Sequence, residues 1–270
     1  MSRLIKMDLF RMRKSKALWI SGIIIFVMCI ILPILAKMLA QLVLDLVKNG
    51  DDAQSIEQAQ QLVDEFNRPA AMSGVFRTMF GGLSLLLILV LVSASIFMFA
   101  DLNHGYIKNI AGQLSNGGYL VISKFIVVNI QNIILLVIST LGTAVGVGVS
   151  RGIEYDSGVP DALLEYLVKI LLLCGITAIV MFFTIGLHNK SLGIVAAVFF
   201  GLSALAIIAT PLQLIMTNVA KIDFVISDYL PDALFASTDI NKLRATIVAL
   251  VCILVFLPVT LRFVNKRDVK

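Results

Sequence analysis

The chain has 270 residues, of which 59% are hydrophobic and 14% are charged, and its formal net charge at pH 7 is +5. Soluble globular proteins carry roughly 45–50% apolar and about 25% charged residues, so this composition excludes an ordinary soluble domain. A helix that spans a bilayer needs about 20 apolar residues. The repeated long apolar runs therefore predict an all-α polytopic membrane protein.

Residues 1–16 combine basic and apolar side chains in a pattern typical of an amphipathic helix. Ile5, Leu9 and Met12 share one face at helical spacing, whereas Lys6 and Arg13 point elsewhere. Such a helix lies in the membrane interface, where its basic residues reach anionic headgroups. The alternative is a plain basic flank of the first span, as the positive-inside rule describes. Both interpretations predict a cytoplasmic N-terminus.

Six apolar runs follow, and each is long enough to cross a bilayer as a helix. We predict spans over 17–36, 75–100, 119–149, 162–187, 192–216 and 243–263. The first helix is expected to continue beyond the bilayer, because Met38, Leu42 and Leu46 keep its apolar stripe. The predicted fold is therefore a single domain with six transmembrane helices that covers residues 1–270.

The distribution of charge predicts the orientation. Lys and Arg residues cluster at the two ends of the chain, which the positive-inside rule places in the cytoplasm. With six spans, every acidic residue except Asp8, Asp101 and Asp268 then faces outward. We expect a multi-pass protein of the plasma membrane with both termini cytoplasmic.

The common catalytic and nucleotide-binding motifs are absent from the sequence. It has no glycine-rich phosphate-binding loop with its lysine and no H-E-x-x-H zinc motif. The run from Gly201 to Ala204 resembles the serine motif of intramembrane proteases, but no histidine follows in a later span. Gly193, Ala197 and Gly201 instead recur every four residues, a spacing that lets helices approach closely. We therefore expect no catalytic residue, no metal site and no cofactor bound by this chain.

Few charges are predicted to lie deep in the membrane. Lys37, Lys124 and Lys169 fall near the predicted interfaces, and no carboxylate is predicted to be buried. Charges inside a membrane mark ion and proton pathways, so this pattern disfavours an ion-coupled transporter. Any transport would then draw its energy from elsewhere. The three cysteines are interpreted as small buried hydrophobic side chains: Cys29, Cys174 and Cys252.

The predicted span over 119–149 carries several polar side chains: Asn129, Asn132, Ser139 and Thr140. They either line a translocation path or form hydrogen bonds to neighbouring helices. Gly142 and Gly146 follow at the small-x-x-x-small spacing, which predicts close helix packing.

A polar, glycine-rich segment, 101–118, separates two of the longest apolar runs. With the basic N-terminal arm and the six spans, it resembles the permease subunits of ABC-2 type transporters. The resemblance is to small Gram-positive exporters of the bacitracin-resistance, lantibiotic-immunity and phenol-soluble-modulin type. In this chain an aspartate replaces the family's glutamate, Tyr106 replaces a threonine, and an arginine after Ser115 is missing. The matching positions are Asp101, Gly105, Lys108, Ser115, Tyr119, Ser123 and Lys124.

This resemblance implies a transmembrane domain that works with a separate cytoplasmic ABC ATPase, which binds ATP and Mg. It also implies a second permease copy, identical or related, and export of an amphipathic peptide, antibiotic or lipid-like substrate. Membrane lipid is an expected partner, and nucleic acid is not. Segment 101–118 would be the coupling helix that docks on the ATPase, through Asp101, His104, Gly105, Tyr106, Ile107, Lys108 and Gly112.

Two alternatives stay open at this point. Segment 101–118 could be an ordinary cytoplasmic loop that is polar only because water surrounds it. The whole chain could also be a non-transporting immunity or scaffold protein that binds its target through the acidic external loops. Copurification of an ATPase distinguishes the exporter from this second alternative.

Overall fold

The computed structural model describes residues 2–48, 53–78, 84–103, 118–218, 225–237 and 240–268, which are almost entirely helical. The first part contains α1 (Ser2–Lys14), α2 (Lys16–Val47), α3 (Ala53–Asn67), β1 (Ala70–Ala71), α4 (Met72–Thr78), α5 (Ser84–Asn103) and α6 (Gly118–Arg151). The second part contains β2 (Ile153–Glu154), α7 (Val159–Met181) with a π-helical continuation (Phe182–Gly186), α8 (Lys190–Gly201), α9 (Ala204–Asn218), a 3-10 helix (Ile226–Tyr229), α10 (Pro231–Ala236) and α11 (Lys242–Asp268).

Four helices among the described residues are long and apolar enough to cross a membrane: α2, α6, α7 with its π-helical continuation, and α11. The α8 and α9 pair adds a fifth if it counts as one span, and Leu85–Ala100 of α5 is a shorter apolar helix. Large apolar side chains, such as Ile23 of α2 and Leu254 of α11, are exposed on the outside of the bundle. The chain is therefore an all-α protein suited to a membrane, because such faces are stable against lipid.

The run predicted as one span over 192–216 is divided into two helices that are bent by 58°. α8 ends at Gly201, and Ser203 has a φ of 51°, a left-handed conformation through which an α-helix does not continue. The run predicted over 75–100 likewise lies in two described helices, α4 and α5. In contrast, α2 extends to Val47, as its apolar stripe predicted.

Two glycines of α6 allow a close approach to α2. A Cβ atom at Gly142 would lie 2.9 Å from the Cβ atom of Cys29. A Cβ atom at Gly146 would lie 2.7 Å from the backbone oxygen of Ile30. Real side chains do not fit at such distances, so the backbones of the two helices meet directly at these positions.

The small residues of α8 lie against other parts of the bundle. Gly193 packs against Thr184 of the π-helical segment, and Gly201 packs against the backbone of Ile88 in α5. Ala197, which stands between the two glycines in the sequence, is fully buried. The predicted small-residue stripe is thus occupied by helices of the same chain.

The short elements β1, β2 and α4 lie together near the ends of α2 and α6 and the start of α7. The strands β1 and β2 form a short parallel pair. The Nζ atom of Lys37 in α2 donates a hydrogen bond to the backbone oxygen of Ser150 in α6 at 2.8 Å. Asp156, just before α7, accepts a hydrogen bond from the backbone N–H of Ser73 in α4 at 2.8 Å. These contacts attach α4 to this end of the bundle.

The attachment of α4 is expected to weaken in acid. Hydrogen bonds from the side chain and the backbone N–H of Ser73 hold the pKa of the Asp156 carboxyl below its ordinary value of 3.8. A carboxyl with a lowered folded-state pKa stabilises the fold above its unfolded-state pKa, and this contribution is lost as the pH falls through the folded-state pKa. At neutral pH, the Asp156→Asn variant should therefore unfold at a lower temperature than the wild type. In strong acid the two should unfold together.

The Glu154→Gln variant is the matched control for this measurement. Glu154 is a nearby carboxylate in β2, and its side chain is exposed. Its substitution should leave the unfolding temperature of the protein close to that of the wild type across the same pH range. A difference between Asp156→Asn and wild type that stayed constant with pH would contradict the proposed role of the Asp156 charge.

Candidate functional site

One apolar face of α1 packs on the helical bundle. Met12 is buried in the core, and Ile5 and Leu9 pack against the same core. Lys6 and Arg13 are exposed. The predicted amphipathic helix is therefore present, and its apolar face contacts helices of the same chain.

Asp8 is a buried charge on α1 and is only 1% exposed. Its Oδ2 atom accepts a hydrogen bond from Oγ of Ser123 at 2.7 Å, and its Oδ1 atom lies 3.1 Å from Nζ of Lys124. Lys124 is equally buried, and its Nζ atom lies 4.7 Å from the ring centre of Phe97 in α5. We call these four residues, Asp8, Phe97, Ser123 and Lys124, the basal cluster.

The basal cluster connects α1 to the two helices that flank segment 101–118. Phe97 lies in the last two turns of α5, which ends at Asn103. Ser123 and Lys124 lie in the first two turns of α6, which begins at Gly118. A buried charge is tolerated only when it is paired and hydrogen-bonded, so the carboxylate and the ammonium group hold these three helices in one arrangement.

The residues predicted to couple to an ATPase fall largely outside the part of the chain that the structure describes. Asp101 belongs to α5, but its side chain is not among those described. The others lie outside the described residues: His104, Gly105, Tyr106, Ile107, Lys108 and Gly112. Their role stays a prediction from the family resemblance.

The expectation that no carboxylate is buried is wrong. Asp8, Glu165 and Asp232 are each at most 6% exposed. Lys124 and Lys169 are buried as well, at 1% and 2% exposed, and their position near the membrane interfaces stays a prediction. Each of these charges is covered by an element that is distant in sequence, so a pattern along one helix does not reveal its burial.

Glu165 and Lys169 stand one turn apart on α7 and contact different neighbours. Glu165 forms an ion pair with Arg77 of α4, where Nε lies 3.1 Å from Oε2. The Nζ atom of Lys169 donates a hydrogen bond to the backbone oxygen of Ser237, next to α10, at 2.8 Å. α7 thus holds α4 and α10 through charged side chains. The i, i+4 spacing of the two charges indicates only that they share a face of α7, and it does not reveal these partners on other elements.

Two of the four polar side chains singled out in the predicted span over 119–149 connect α6 to α7. The Nδ2 atom of Asn132 donates a hydrogen bond to Oγ1 of Thr177 at 2.9 Å. The Oγ1 atom of Thr140 lies 3.0 Å from the hydroxyl oxygen of Tyr166. These bonds are of the kind expected between neighbouring membrane helices.

The remaining polar side chains of this group bond within α6. Asn129 and Ser139 donate to backbone oxygens of their own helix. The side-chain oxygens of Asn129, Gln131 and Asn132 are buried and have no hydrogen-bond partner among the described residues. The polar side chains of α6 therefore form hydrogen bonds to a neighbouring helix, and they also include buried oxygen atoms with no partner among the described residues. Both sequence-based interpretations, a translocation path and hydrogen bonding between helices, fit this arrangement.

Among the described residues, no three His, Cys, Asp or Glu side chains lie close enough together to hold a metal ion. No protein-family model, curated protein or solved structure matches the chain. The chain is a helical, membrane-embedded protein, and its basal cluster joins three helices through buried charges.

Proposed function

We propose that this chain is the permease subunit of an ATP-driven exporter of the ABC-2 type, which moves an amphipathic peptide, antibiotic or lipid-like substrate. A separate cytoplasmic ATPase binds ATP and Mg, and two permease chains, identical or related, form the membrane part. The basal cluster carries the proposal, because it attaches α1 to both helices that lead into segment 101–118. A docking segment that moves a bundle needs firm attachments at both of its ends.

In this proposal six spans cross the plasma membrane: α2, α5, α6, α7 with its π-helical continuation, the α8 and α9 pair, and α11. Both termini and segment 101–118 lie in the cytoplasm, where basic residues face the anionic inner leaflet. The exposed Lys6 and Arg13 of α1 then reach lipid headgroups while its apolar face stays on the bundle.

α5 links segment 101–118 to α8. The Oγ atom of Ser95 donates a hydrogen bond to the backbone oxygen of Gly193 at 3.2 Å. Gly201 brings α8 against the backbone of Ile88. Since close-packed helices transmit displacement with little compression, a push on the segment moves α5 and α8 together. This movement would change the path between the two permease chains.

A triple variant with Tyr106, Ile107 and Lys108 changed to alanine is expected to uncouple transport from ATP hydrolysis. The change removes two apolar anchors and one charge from the proposed docking surface. Truncating an interface hot spot typically costs about 2 kcal/mol or more. Substrate-stimulated ATP hydrolysis by the complex in proteoliposomes should therefore fall by at least about tenfold, since 1.4 kcal/mol corresponds to a factor of ten.

The matched control changes three exposed residues of α3 to alanine: Glu57, Gln60 and Gln61. This variant should keep the wild-type stimulation. Unchanged stimulation and transport in the 106–108 variant would contradict the coupling role. If detergent extraction brings down no ATPase and liposomes show no ATP-dependent flux, the exporter proposal fails, and the immunity or scaffold alternative is favoured.

A further inference from the structure

An apolar cleft of about 500 Å³ lies between α7, α8 and α11. Ile179, Ala196 and Phe200 line it and are buried, so they form its floor. Leu192 and Val195 line it and are 40% and 61% exposed, so they form its mouth. The cleft therefore opens sideways from the bundle, along α8.

The described residues that line the cleft carry no charged or amide side chain. A stably bound water needs several polar partners, which these walls do not offer. α7 and α11 are candidate membrane spans, and α8 forms one together with α9, so we expect lipid hydrocarbon at the mouth of the cleft. An empty apolar space loses dispersion contacts along every wall. Hydrocarbon from the bilayer is thus the chemistry that fits.

The cleft differs from a seam where another helix would dock. Helices associate in membranes through small residues that let their backbones approach. On α8 those residues, Gly193 and Gly201, are already occupied by Thr184 and Ile88 of the same chain. Most of the cleft walls are instead aromatic and branched aliphatic side chains, together with the smaller Ala196 and Cys252, and the space between them is about 500 Å³. A helix with its side chains is about 10–12 Å wide, so this volume holds little more than one helical turn and suits a flexible chain better.

The two ends of the cleft differ in chemistry. Leu205 and Pro231 line one end, and the buried Asp232 holds that end together, because its Oδ2 atom accepts a hydrogen bond from the backbone N–H of Leu205 at 3.0 Å. Leu192 lines the cleft near the start of α8. Lys190, the exposed first residue of α8, stands two positions before Leu192 and carries a positive charge at that end of the helix.

We propose that this cleft binds an acyl chain of an anionic bilayer phospholipid, with the chain along α8 and the phosphate on the side of Lys190. The apolar walls provide the contact with the chain, and the lysine provides the charge that complements the phosphate. The site requires only that the chain is embedded in a membrane. It is independent of the export function proposed above.

The test uses the full chain reconstituted in vesicles of phosphatidylcholine and phosphatidylglycerol, where the phosphatidylglycerol carries a photoreactive diazirine near the end of one acyl chain. After irradiation, mass spectrometry of peptides locates the label. We expect the cleft residues of α8 and α11 to be occupied, and therefore labelled, about ten times more than the exposed face of α11.

Two variants fill the cleft from different helices, Ala196→Phe on α8 and Cys252→Phe on α11. Each should reduce the cleft label by about tenfold, provided that circular dichroism and size exclusion show a folded protein. Val251→Phe is the matched control, because Val251 precedes Cys252 but is 53% exposed outside the cleft. Lys190→Gln should lower labelling by the phosphatidylglycerol probe more than labelling by a phosphatidylcholine probe.

Labelling that is as strong in both filled variants as in the wild type would overturn the proposal. It would also be overturned if cleft label were absent from the wild type while oxidation cross-linked two copies through Cys252, since a second chain would then occupy the cleft. If neither variant folds, native mass spectrometry of the wild type decides. Retention of one phosphatidylglycerol after removal of the outer lipid supports the site, and its loss together with that lipid overturns it.

Discussion

Replacing Asp8 with alanine is expected to destabilise the protein by about 3–5 kcal/mol, the usual cost of removing one partner of a buried ion pair. Asp8 and Lys124 are each 1% exposed, so water cannot replace the lost carboxylate without opening the packing of α1. Lys124→Ala should have a similar effect, because it leaves the Asp8 carboxylate buried without the ammonium group. Thermal unfolding in detergent measures both changes.

Removing both charges at once should be less harmful than removing either one. A buried pair that is replaced by apolar residues of similar volume is often tolerated, so Asp8→Leu with Lys124→Met is expected to recover much of the lost stability. The coupling energy of the pair is the difference between the Asp8→Ala/Lys124→Ala double variant and the sum of the two single alanine variants. Lys6→Ala is the control on α1, since Lys6 is exposed. Additive single effects would show that the two charges do not stabilise each other.

Gly146→Ala is expected to destabilise the protein by about 1–3 kcal/mol, the typical cost of overpacking a core. The new methyl group would meet the backbone oxygens of Ile30 and Cys29 at 2.7 and 2.8 Å. Backbone atoms of a long helix cannot rotate away as a side chain can, so α2 and α6 must separate. The loss should appear as a lower unfolding temperature in detergent.

Gly148→Ala is the matched control, two residues further along α6. A methyl group there would meet only the Cδ1 atom of Ile153, at 3.8 Å, which is an ordinary contact distance. Since alanine is favoured over glycine inside a helix by about 1 kcal/mol, this variant should be unchanged or slightly more stable than the wild type. Equal effects of the two substitutions would contradict the close approach of α2 and α6 at Gly146.

Helical character, approximate helix positions and the apolar face of α1 could be predicted from local patterns. The stripe that continues beyond residue 36 correctly indicated a helix that extends to Val47. The spacing of Gly142 and Gly146 identified a face of α6 that contacts another helix. Periodicity reports the faces of a single helix, and these features depend on one helix at a time.

The break in the run predicted over 192–216 could not be predicted from that run alone, because it depends on residues elsewhere in the chain. Its position is marked by the left-handed Ser203, and the start of the next helix is held by Asp232, whose carboxylate accepts from Leu205 across 27 positions. The residues on both sides of the break are predominantly apolar. A pattern of apolar residues therefore predicts a continuous span there.

Composition and periodicity predicted a helical membrane protein, with a basic N-terminal arm suited to an amphipathic helix and a polar segment between two long apolar runs. Only the tertiary structure revealed which charges are buried and what they hold together. Asp8 and Lys124 are separated by 116 positions, yet their atoms lie 3.1 Å apart. A charged side chain can be buried only where a partner from another element meets it, and that meeting is a property of the packed bundle.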